Sequence, residues 1–140
     1  MKSADGKQRG ASTVEFALIA PLFIALLFAI VEFGMILYTK GMLTHAAREG
    51  ARYGVVFSTP RRTTAEITTK VREYLDLSGL TNTATVAVTY PDGTSDSGKR
   101  LRVDVNYTYN FLVLPQNINN YLAGKMTDLN LTADTIMYME

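Results

Sequence analysis

The chain has 140 residues, room for one anchor and one small domain but not for two independently folded enzymes. A net charge of +1, with the Lys and Arg residues scattered rather than massed, argues against a nucleic-acid binder, which is normally plainly basic. There is no cysteine, so disulfides, thiol nucleophiles and cysteine metal sites are excluded.

The first ten residues form a short basic leader carrying Lys2, Lys7 and Arg9 and ending in Gly10. From Phe16 to Tyr38 the sequence runs 23 residues with one charge, Glu32. At about 1.5 Å per residue such a helix reaches roughly 34 Å, enough for a hydrocarbon core of about 30 Å. The remainder of the chain is too small to wrap a helix that is apolar on every side, so a membrane span is expected rather than a buried core helix. A removable secretory signal is the rival. The stretch is long, however, and ends in Glu32-Phe-Gly-Met35 rather than an A-x-A site, so the anchor is expected to stay. Lys2, Lys7 and Arg9 before the span balance Lys40, Arg48 and Arg52 after it, and the positive-inside rule therefore gives no orientation.

The piece R-G-A-S-T-V-E-F at 9–16 is more informative. A charge at the mouth of a membrane helix needs a reason, and Glu15 is such a charge. A cut after Gly10 supplies one. Ala11 then carries a free amine about one helical turn from Glu15, and the carboxylate also meets the positive end of the helix dipole. Glycine at the cut suits a protease that needs close backbone approach.

These residues resemble the cleavage signature of type IV prepilins, with Glu15 and Phe16 in its acid and aromatic positions. The longer stretch R-G-A-S-T-V-E-F-A-L-I-A-P at 9–21, V-E-F-G at 31–34 and A-A-R-E-G-A-R-Y-G at 46–54 are similar to TadE-type (TadE/TadF) pseudopilins of the tight-adherence (Flp) pilus. Beyond residue 54 the likeness is weaker; V-N-Y-T-Y-N-F-L-V-L-P at 105–115 fits the family's strand-then-proline pattern. The resemblance implies cleavage between Gly10 and Ala11 by a prepilin peptidase and a cytoplasmic leader over 1–10. It further implies a span over 11–38 in the bacterial inner membrane and an extracytoplasmic domain over 39–140. Glu15, Phe16 and Glu32 are the candidate assembly residues. The one-turn helix neighbours of Glu32 cannot pair with a carboxylate, so it is expected to be neutral or paired with another chain.

The helix is expected to continue from Thr39 to about Val56, with Ala46, Gly50 and Gly54 in one small-residue seam. Glycine costs about 1 kcal/mol per helical position against alanine, so two in one seam point to close backbone packing, on the protein's own sheet or on another subunit. Glu49 can pair with Arg52. His45 and Glu49 are one turn apart but lack a third metal ligand. After S-T-P-R-R at 58–62, Thr63 and Glu66 form a predicted capping box for a second helix with the apolar stripe Ile67, Val71, Tyr74 and Leu75, stopped by Gly79. Arg61, Arg62, Lys70 and Arg72 are expected on a solvated face, with anionic headgroups as the other reading.

Residues 84–90 and 101–109 alternate as strands, placing Val86, Val88 and Tyr90, then Leu101, Val103 and Val105, on a core side. The P-D-G-T-S-D-S-G stretch at 91–98 is turn chemistry, and Asp92 and Asp96 fall short of a calcium loop. After Pro115 and an Asn-rich link, 129–138 offers a third strand. The fold expected is α+β and pilin-like: a long N-terminal transmembrane helix, a second helix and a three-stranded antiparallel sheet. No catalytic constellation, cofactor motif, small-molecule site or nucleic-acid surface is legible. The expected partners are the lipid bilayer, the peptidase and other pilus-assembly subunits. A single-pass anchored binding or sensing domain is the alternative.

Overall fold

A computed structural model describes residues 5–80, 83–112 and 129–140, with side chains from Gly10 onward. Helix α1 spans Asp5–Val55 and α2 spans Thr64–Asp76; strands β1, β2 and β3 span Ala84–Thr89, Arg100–Tyr109 and Leu129–Tyr138. The architecture is the expected α+β arrangement, and the strands form one antiparallel sheet in the order β1-β2-β3. Lys2, Pro115 and the Asn-rich link lie outside the described residues. The chain divides into two compact units, residues 1–35 and 36–140.

In the first unit α1 is exposed almost everywhere. Phe16, Leu18 and Leu22 are each more than 70% accessible. It is the one described helix long and apolar enough to cross a membrane, by length and composition. Pro21 sits inside it. A proline removes one rung of the helix ladder, a defect that membrane helices tolerate because local adjustments re-satisfy the freed carbonyl.

The second unit has a conventional core. Leu43, Ala47 and Ala51 of α1, Ile67, Val71 and Leu75 of α2, and Leu101, Val103 and Val105 of β2 are buried together. The alternation in β2 does what a period of two requires: odd positions face the core and even ones face water. Register pairs Val103 with Val88 and Thr135, so the inward rows line up across all three strands.

Helix α2 begins as its sequence predicts. Thr63 Oγ1 accepts from the Glu66 N–H at 3.3 Å, and the Glu66 carboxylate accepts from the Thr63 N–H at 2.7 Å. Two of the orphan donors at a helix start are thereby satisfied. At the other end Gly79 has φ +70°, and the N–H of Leu80 returns to the Leu75 carbonyl at 3.0 Å while that of Gly79 reaches Asp76 at 2.9 Å. That is a Schellman stop, in which the positive φ falls on the residue without a Cβ.

In the β1–β2 connection Asp92 is bound by Arg100 rather than poised for a cation. Its Oδ2 accepts from the Arg100 N–H at 2.9 Å, and its Oδ1 accepts from Nη2 at 2.7 Å. The guanidinium and then the backbone N–H of Arg100 pull the carboxyl down to about 2.

Candidate functional site

Gly10 and Ala11 both lie within α1, which begins at Asp5. Among the described residues, a Cβ built on Gly10 would meet no atom within 4 Å. Nothing in the fold of the described chain therefore demands glycine there. Gly10 does weaken the helix at this point by about 1 kcal/mol relative to alanine. Glu15 and Phe16 follow on the same helix, and both are exposed.

Glu32 differs from the exposed residues around it. Its residue is 5% exposed within its own chain, in a helix whose neighbouring apolar side chains lie open. Glu32 is not without an interaction partner. Its one-turn neighbours on α1 left Glu32 to be neutral or to find a partner in another subunit; its low exposure is a feature that a helical count does not show. Thr39, seven residues on, is likewise 5% exposed.

The small-residue seam is occupied from within the second unit. Ala46, Gly50 and Gly54 are all buried. A Cβ on Gly50 would stand 2.2 Å from Val71 Cγ2, and one on Gly54 would stand 2.5 Å from Leu101 Cδ2 and 2.7 Å from Ile67 Cδ1. Of the two readings open for the seam, packing on the chain's own helix and sheet accounts for both glycines. They let α1 approach α2 and β2 more closely than any side chain would permit.

The charges around the seam are mostly paired. Arg52 donates to both carboxylate oxygens of Glu49, at 3.0 and 2.9 Å, and this holds the Glu49 carboxyl below its ordinary value. His45 and Arg48 are exposed. Lys70 pairs with Glu73 at 2.8 Å, and Arg72 is exposed. Arg61 and Arg62 do not belong to an open cationic face. Both are half-buried, with Arg62 stacked 3.9 Å above the Tyr53 ring and Arg61 5.1 Å from the Phe57 centroid. Arg61 also donates to the Glu140 carbonyl. The Arg61–Glu140 contact joins residues far apart in sequence, whereas the two ring contacts join near neighbours in the chain.

The described residues contain no group of three or more His, Cys, Asp or Glu placed to hold a metal. The groove beside α2, lined by Tyr53, Glu66, Thr69, Lys70 and Glu73, is shallow, and its charged groups are bonded to one another or to Thr63. Among the described residues the arrangement offers close packing between α1, α2 and β2.

No curated protein and no solved structure matches the chain. Residues 10–52, the segment that holds Gly10, Glu15, the apolar stretch and Gly50, match the family model described as TadE-like protein.

Proposed function

We propose that the chain is a minor pilin or pseudopilin of a Tad (Flp) pilus, cut between Gly10 and Ala11 by a prepilin peptidase and held in the bacterial inner membrane with residues 39–140 outside. The TadE-like match supports a component associated with the Tad pilus. The observation that carries the finer reading is the placement of Gly10 and Glu15. Packing among the described residues gives no account of the glycine, and it stands five residues before an acid at the mouth of an exposed apolar helix.

Within this reading Gly10 and Ala11 provide the scissile bond, and Glu15 and Phe16 act after the cut, when the apolar helix meets other pilus-assembly subunits. Glu32, buried within its own chain, acts as a positioning residue for assembly. The domain over 36–140 presents a polar outer sheet face, on which Arg102 bonds to Asp104 at 3.0 Å and approaches Asp134 at 3.6 Å. Its role is to hold a defined shape at the assembly site.

Mass spectrometry of the N-terminus from native membranes tests the reading. The mature chain is expected to begin at Ala11, and Gly10→Val should leave the precursor, heavier by its ten-residue leader, in the membrane. Glu15→Val should still be cut but should fail to support piliation in a strain lacking the wild-type copy. Normal processing of Gly10→Val, or the absence of any shortened wild-type form, would replace this reading with that of a plain membrane-anchored binding or sensing domain.

A further inference from the structure

The start of α2 shows which residues end a helix cleanly in this protein. Thr63 and Glu66, three apart, exchange side-chain and backbone hydrogen bonds across the first turn. The same spacing of hydroxyl and acid occurs once more where a helix start is at issue: Ser12-Thr-Val-Glu15, directly after the Gly10–Ala11 bond. In the uncut chain this motif cannot act as a cap. Helix α1 begins at Asp5, so Ser12 is an interior residue whose N–H belongs to the helical ladder. Glu15 is then nearly three turns from the helix start, beyond the reach of the dipole's positive end.

Removing residues 1–10 changes the demands on this segment. The shortened helix has a new end with orphan N–H groups, and at the edge of a membrane each unsatisfied group is costly. We propose that Ser12 and Glu15 form a latent capping box that removal of the leader arms: Ser12 becomes the N-cap, the mature α1 begins at Thr13, and Glu15 falls at the third helical position. The Ser12 hydroxyl then accepts from the Glu15 N–H, and the Glu15 carboxylate accepts from the Ser12 N–H, as Thr63 and Glu66 do. The same carboxylate now sits in the first turn, where the helix dipole favours negative charge. An acid at the mouth of an apolar span thus has a role within its own chain once the chain is cut. This inference rests on cleavage after Gly10.

The box and a simple charge pair with the Ala11 amine make opposite demands on residue 15. Glutamine serves a capping box about as well as glutamate but cannot pair with an ammonium group. The test uses the full-length chain and a chain beginning at Ala11, the latter released from a fusion by a sequence-specific protease so that its making does not depend on a prepilin peptidase. Both are placed in lipid nanodiscs, and NMR reads the Ser12 carbon shifts and hydrogen exchange at the Glu15 amide. In the shortened chain Ser12 should show extended-backbone shifts. Ser12→Ala should speed Glu15 exchange about 2- to 30-fold, the range that losing an N-cap produces, and Ser12→Asp should restore it. Glu15→Gln should stay near the parent while Glu15→Val exchanges faster. In the full-length chain Ser12→Ala should bring no acceleration, because alanine is the better interior helix former.

Helical Ser12 shifts in the shortened chain, an equal effect of Ser12→Ala in both chains, or a Glu15→Gln as damaging as Glu15→Val would each overturn the box. Failure to find a natural Ala11 terminus in native membranes would instead remove the processing reading, and the two failures are read from different samples.

Discussion

Residues 10–38 and 39–55 share one helix, yet the two stretches solve opposite problems. In the first, large apolar side chains such as Phe16, Leu22 and Phe23 point outward on every side. In the second, Leu43 is buried together with the small residues Ala46, Ala47, Gly50, Ala51 and Gly54, while His45, Arg48 and Arg52 face out. A helix in lipid satisfies its backbone internally and needs only an apolar exterior. A helix on a small water-facing domain must instead bury one stripe, and here the stripe is made of residues small enough to bring backbones together. Hydropathy therefore marks the exposed stretch, and side-chain size marks the domain stretch.

The largest test of that contrast removes bulk from each side. Leu101 is fully buried under Gly54, so Leu101→Ala should cost about 2–5 kcal/mol through lost burial and an unfilled cavity. Leu26→Ala, in the exposed stretch, should leave the domain's unfolding midpoint in detergent unchanged. Equal shifts from the two variants would break the comparison.

Glycine substitutions sharpen it. Gly50→Ala places a methyl 2.2 Å from Val71 Cγ2, and a β-branched side chain has little rotamer freedom with which to yield. Overpacking of this kind costs about 1–3 kcal/mol, against about 1 kcal/mol gained in helix propensity, so the variant should melt lower. Adding Val71→Ala should recover part of the loss, because the two sites share one contact. Gly41→Ala meets no described atom within 4 Å and should instead raise the melting temperature, through a gain in stability of up to about 1 kcal/mol. If Gly50→Ala and Gly41→Ala stabilise alike, the seam is not a close contact.

The smallest effect concerns the β1–β2 connection. The Asp92 carboxyl is depressed in the folded chain to about 2, from an ordinary 3.8. A depressed carboxyl contributes stability above the unfolded value and loses it as pH falls through the folded one. The contribution should thus be full above about pH 4 and fade toward pH 2, and Asp92→Asn should flatten that part of a stability-against-pH curve. Because the Asp92–Arg100 pair is at the surface, salt should screen the difference. A wild-type curve no steeper than that of Asp92→Asn in low salt would show that the pair contributes nothing measurable.

Features governed by near neighbours were legible in the sequence. The span follows from hydropathy over consecutive residues, the Thr63–Glu66 box from a three-residue spacing, the Glu49–Arg52 pair from helix geometry, and the strand rows of β2 from alternation. Each of these depends on groups within one or two turns, or along one strand, and local stereochemistry is the same in any fold. The N-terminal signature was legible as a pattern of residues, and its place on an exposed helix follows from the same hydropathy.

What the tertiary structure decided involves partners distant in the chain. The seam was visible as small residues, but Val71, Ile67 and Leu101 had to be brought over it before its occupant was known. Arg61 and Arg62 read as surface cations until the fold set Glu140 beside the first and Tyr53 beneath the second. Glu32 looked stranded in an apolar helix, yet it is 5% exposed. A side chain's own neighbours along a helix or strand follow from its spacing, whereas its burial depends on which distant surfaces close over it, and closure is a property of the whole packed core.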